Sequence, residues 1–129
     1  MNHPHKFSIH YTRDEARKLL PQIDVWLAKL LLLEDQLKKA SHRVEQLIAS
    51  GQDHGGPKVE AYLKLQGEFL ELLGKFQERE IMIKDLHRGL IDFPAIVDGR
   101  EVFLCWEQGE EDIEFWHELD GGYAGRERL

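Results

Sequence analysis

The sequence predicts an α+β fold: a long antiparallel αα-hairpin, its first helix kinked near Pro21, followed by a small antiparallel β-meander of three to four strands. Three observations carry this reading. Apolar residues recur at alternating spacings of three and four from Ala16 to Leu47, and a second apolar stripe runs from Val59 to Phe76. That is the period of helices packed lengthwise on a partner. After Glu80 the period changes to short runs rich in β-branched and aromatic residues, and Asp98-Gly99 stands between two of them as a strong hairpin signal. The 129 residues are read as a single domain, with the hairpin over 12–80, the meander over 81–120 and a C-terminal tail over 121–129.

The first helix opens on Thr12-Arg13-Asp14-Glu15, which has the form of a capping box. Its stripe is Ala16, Leu19, Ile23, Trp26, Leu30, Leu33, Leu37, Ala40, Val44 and Leu47. Pro21 falls inside the stripe, removes one backbone donor and crowds the Arg17 carbonyl, so a kink or short break is expected there. Ala49 to Gly56 (ASGQDHGG) is a loop, and Pro57 suits the first position of the next helix. The second stripe is Val59, Tyr62, Leu65, Phe69, Leu72 and Phe76, in a helix expected to end near Arg79. At about 1.5 Å per residue the helices reach roughly 55 Å and about 35 Å. The mismatch is expected to leave much of the first helix without an intrachain partner.

Ile81-Met82-Ile83 reads as a strand start, followed by Phe93–Val97, Arg100–Trp106 and, after the turn QGEED, Ile113–His117. Gly121, Gly122 and Gly125 make the tail a loop.

Composition excludes several classes. A net charge of -7 and a pI near 5.5 oppose nucleic-acid binding, which calls for a basic field. The longest aliphatic run, Leu30 to Leu33, is far short of the roughly 20 residues a membrane helix requires. No stretch near the N-terminus has signal-peptide character, and one cysteine forms no internal disulfide, so a cytoplasmic location is expected.

Strand register then points to a site. A two-residue turn at Asp98-Gly99 pairs Val97 with Arg100, Phe93 with Leu104 and Asp92 with Cys105. Centring the next turn on Gly109-Glu110 sets Cys105 opposite Glu114 and Leu104 opposite Phe115. One face then carries Phe93, Ala95, Val102, Leu104, Trp106, Ile113 and Phe115 against the helices. The other carries Asp92, Cys105, Glu107, Glu114 and Trp116. Acids beside a thiol suit a divalent metal or a perturbed acid for proton transfer. A solvated polar face with a space-filling cysteine accounts for the same row, and no C-x-x-C or H-x-x-x-H spacing marks a ligand set. His117 falls on the core face in this register; a one-residue change in the turn would bring it beside Cys105. As a nucleophile, Cys105 would need such a cationic neighbour.

Elsewhere the signals are thin. His3, His5 and His10 lie in a polar N-terminal arm expected to be undocked, with transient metal binding as the alternative, while His54 and His87 fall in solvated loops. Lys84, Arg88, Arg100 and Arg126 sit near the acidic face, where ion pairs are the ordinary expectation and anion contacts the alternative. No glycine-rich phosphate motif is present.

The segment KDLHRGLIDFPAIVDGREVFLCWEQGEEDIEFWHELDGGYAGR closely resembles the C-terminal signature of a bacterial family catalogued as domain of unknown function 2203, and FSIHYTRDEARKLLPQI resembles its opening. The tail motif falls on Lys84, Asp85, Gly89, Asp92, Phe93, Pro94, Asp98, Gly99, Cys105, Trp106, Gly109, Glu110, Trp116, His117, Glu118, Gly125 and Arg126. The resemblance implies no activity, but it groups His117, Glu118 and Arg126 with Cys105.

Two functions compete. The first is a self-associating interaction or scaffold protein, a homo-oligomer (most simply a dimer) built on the helical stripe. The second is a metal-dependent or acid–base enzyme acting on a small molecule. Its candidate residues are Asp85, Asp92, Cys105, Glu107, Glu110, His117, Glu118 and Arg126, with Asp92, Cys105, Glu107 and His117 as metal ligands. Neither nucleic acid nor membrane is an expected partner.

Overall fold

The computed structural model describes residues 4–51 and 56–129; His3 and His54 lie outside the described residues. Two helices, α1 (Arg13–Ala49) and α2 (Pro57–Glu78), precede five strands, β1 (Met82–Asp85), β2 (Leu90–Val97), β3 (Arg100–Glu107), β4 (Phe115–Glu118) and β5 (Glu127–Arg128). The strands form one antiparallel sheet in sequence order, so the meander is as expected, with a two-residue fifth strand added from the tail.

The capping box is in place. Thr12 Oγ1 accepts from the Glu15 amide at 3.1 Å, and the Thr12 amide donates to Glu15 Oε1 at 3.0 Å. α1 runs through Pro21 without a break. Pro21 is exposed, which leaves the Arg17 carbonyl it frees on a face that water reaches.

The core joins one face of the hairpin to one face of the sheet. Ala16, Leu20, Ile23, Leu27 and Leu30 of α1 form one buried cluster with Leu72 and Phe76 of α2 and with Phe93, Ala95, Val102, Leu104 and Trp106 of the sheet. This corrects the expectation that the length mismatch leaves much of α1 unpartnered. The sheet covers the stretch of α1 that α2 is too short to reach. Polar ties reinforce the contact: Gln108 Nε2 donates to Asp24 Oδ1 at 3.0 Å, and Arg17 Nε to Asp112 Oδ1 at 2.7 Å. Beyond Leu33 the burial thins, and Ala40 is the only buried residue of α1 there.

The N-terminal arm is docked, contrary to expectation. The Lys6 and Phe7 amides donate to the Glu101 carboxylate at 2.8 and 3.0 Å, His10 Nε2 bonds the same group at 2.7 Å, and the Tyr11 amide donates to the Pro94 carbonyl at 2.8 Å. Phe7 packs edge-on against Phe103, on the sheet face opposite the helices.

Candidate functional site

The β2–β3 hairpin has the expected register. Asp98 and Gly99 both take positive φ, 51° and 77°, as a tight turn demands, and Asp92 lies opposite Cys105. The next pairing departs from expectation by one residue. Cys105 faces Phe115 rather than Glu114, Leu104 faces Trp116 rather than Phe115, and Phe103 faces His117. The link from Glu107 to Phe115 is not a tight turn. Its Glu110 amide closes on the Glu107 carbonyl, Trp106 Nε1 donates to the Glu110 carbonyl, and Ile113 enters the core from the loop. Pairing therefore begins only at Phe115. Because side chains alternate along a strand, the shift moves every residue of β4 to the opposite face. His117 joins Asp92 and Cys105, while Trp116 turns to the helices and Phe115 away from them.

That second face is not solvated either. Asp92 and Cys105 are each 1% exposed and His117 is 2% exposed. The tail closes over them: the Arg126 guanidinium lies 3.9 Å from the centre of the Phe115 ring and 4.2 Å from that of Tyr123, and donates twice to the Glu110 carboxylate.

Three adjacent strands thus bring one carboxylate, one thiol and one imidazole together, with ligand atoms all within 4.8 Å of one another. His117 Nδ1 lies 2.7 Å from the Glu118 carbonyl, and Nε2 lies 2.9 Å from Asp92 Oδ2. A carbonyl only accepts, so Nδ1 carries a proton and donates. One further proton is then shared between Nε2 and Asp92. Asp92 Oδ1 is buried with no hydrogen-bond partner among the described residues. Burial pushes the Asp92 carboxyl above its ordinary value, against the pull of His117. Burial, and then the charge of Asp92, push the Cys105 thiol up to about 12. Cys105 is therefore a protonated thiol at neutral pH and a poor nucleophile on its own.

A cavity of about 130 Å³ adjoins the three groups, lined also by Lys84, Leu90, Gly121, Gly122 and Tyr123. Lys84, at the register shift between Ile83 and Asp85 and two residues on from Met82, which pairs Asp92, lines the same cavity.

The remaining candidates stand around this centre rather than in it. Asp85 accepts from the Arg88 amide, and Glu107, expected as a metal ligand, pairs with Arg88 at 2.8 Å. Glu110 anchors Arg126, and the Glu118 carboxylate pairs with Arg100 while its carbonyl orients His117. Of the four basic residues near the face, Lys84 alone has no ion pair among the described residues. Tyr123 was not legible as a lining residue, since a glycine-bounded tail gives no period from which to infer a face. A second group, His5, His10 and Glu101, also has ligand atoms within 4.8 Å, but the Glu101 oxygens already hold the N-terminal arm.

Among the described residues, no helix is long and apolar enough to cross a membrane. Searches of curated proteins and of solved structures return no match. The family model described as Uncharacterized conserved protein (DUF2203) matches residues 10–129, and the chain belongs to that family.

Proposed function

We propose that Asp92, Cys105 and His117 bind one divalent cation, zinc by the nature of the donors, and that the cation serves small-molecule chemistry in the adjoining cavity. The observation that carries this reading is a buried Asp92 carboxylate with one oxygen within ligand reach of a thiol and an imidazole and its Oδ1 without a hydrogen-bond partner among the described residues. Such an orphan acceptor is costly unless something meets it. The separation of 2.9 Å between His117 Nε2 and Asp92 Oδ2 is near the about 3.3 Å expected for two ligands at about 2.0 Å in a tetrahedral site. A ligating histidine commonly donates its other N–H to a carbonyl, as His117 does to Glu118. Three protein ligands beside a cavity leave a fourth position open, the arrangement of a catalytic site. There the cation would act as a Lewis acid or activate a water.

Elemental analysis of tag-free protein purified without chelator tests this. One zinc per chain is expected, with a rise in melting temperature on adding zinc that is lost in Cys105→Ala and His117→Ala. Absence of both in the unaltered protein overturns it.

A second reading rests on the distal hairpin. Leu70 is more than half exposed there, in an open groove lined also by Leu37, Tyr62 and Phe69. We propose that a second copy covers this face in a two-fold four-helix arrangement. The groove carries Glu34 and Lys38 one turn apart, which a two-fold copy meets in reversed order. Light scattering giving the 15.1 kDa monomer at every dilution would remove this reading.

A further inference from the structure

We infer that the cavity beside Asp92, Cys105 and His117 takes a compact monocarboxylate, one oxygen of which completes the cation's coordination while Lys84 meets the rest of its charge. This rests on the cation reading and specifies the ligand.

Charge is the first argument. A divalent cation held by the Asp92 carboxylate, the Cys105 thiolate and a neutral His117 is a centre of zero net charge. Lys84 then remains in the wall, with no ion-pair partner among the described residues. The other cations nearby are already balanced, Arg126 by Glu110 and Arg88 by Glu107. The wall of the loaded site therefore keeps one unpaired positive charge, which a monoanion can meet.

Size is the second. About 130 Å³ is the space of roughly four water molecules, enough for a carboxylate with a short carbon tail and too small for a nucleotide or a sugar phosphate. The wall chemistry is the third. Leu90 gives an apolar surface for the carbon end. Tyr123 is held as a fixed wall, with the Arg88 guanidinium 4.3 Å from its ring centre and that of Arg126 4.2 Å away. Gly121 and Gly122 form an exposed rim without side chains, which leaves an entry.

The probe is sodium acetate added to cobalt-substituted protein at constant ionic strength, read by the visible spectrum of the cobalt ion, with acetamide as the neutral comparison. A saturable spectral change is expected with acetate and none with acetamide. In Lys84→Gln the cobalt should still load, and the acetate dissociation constant should rise roughly tenfold or more through loss of one charge-assisted contact. Lys84 is exposed, so this variant should fold. Cobalt loading without a response to acetate, or with equal affinity in Lys84→Gln, overturns this inference alone. Failure of cobalt to load overturns the cation reading and this one with it.

Discussion

His117 Nε2 lies 2.9 Å from Asp92 Oδ2, joining β4 to β2 across the intervening strand β3, with both side chains almost wholly shut off from solvent. The pair holds one proton between its two acceptor atoms, because the second imidazole proton is committed to the Glu118 carbonyl. Cys105 projects between them from β3. The geometry is consequently closed by hydrogen bonds on the His117 side and open on the side of Asp92 Oδ1.

Removing one partner of this pair should be costly. His117→Ala leaves Asp92 buried and alone, and a loss of about 3–5 kcal/mol in stability is expected. Asp92→Asn keeps the shape and supplies an N–H to Nε2, so it should cost no more than about 1–2 kcal/mol. Urea denaturation of the two metal-free variants compares them. Equal losses would show that the pair is not what holds this region.

Cation binding should release two protons. One comes from the Cys105 thiol, pushed up to about 12, and one from the proton shared by Asp92 and His117. Zinc affinity should therefore rise with pH, by up to about a hundredfold per unit near neutrality before buffer and hydroxide compete. Calorimetry in buffers of different ionisation enthalpy counts the released protons directly.

Trp106→Ala should cost about 3–5 kcal/mol by leaving a cavity in the core. The indole is buried against the helices and its Nε1 also donates to the Glu110 carbonyl, so the loop that sets the β4 register should loosen as well. Far-ultraviolet circular dichroism and thermal denaturation check this.

Asp112 governs part of the acid response. The Arg17 guanidinium, and then the Ile113 amide, hold its carboxyl at about 2, below the ordinary 3.8. A depressed folded-state value contributes stability that is fully present above the ordinary value and is lost as pH falls through it towards about 2. Asp112→Asn should flatten the stability curve between those limits, its loss showing in full near neutrality and fading as pH falls towards about 2. Melting temperatures taken from pH 5 down to pH 2 would reveal an unchanged slope if the pairing contributes nothing.

The elements themselves, and half of the site, were written in local sequence. Alternating spacings of three and four specify α1 and α2, Thr12 and Glu15 specify where α1 starts, and Asp98-Gly99 specifies both a hairpin and its register. Asp92 and Cys105 could be placed opposite one another because a two-residue turn leaves no choice of pairing. Tertiary structure decided the rest. The connection from Glu107 to Phe115 has no fixed geometry of its own, and its parity was settled by Ile113 entering the core and Asp112 meeting Arg17 from α1. One residue of slip there carried His117 from the helix-facing side to the side of Cys105. Burial of that side was equally invisible, because Phe7 and Arg126, far apart in the chain, supply the cover from two termini that carry no period. Local turn chemistry fixes one strand pair at a time; only contacts between distant segments decide which face of the sheet becomes an interior.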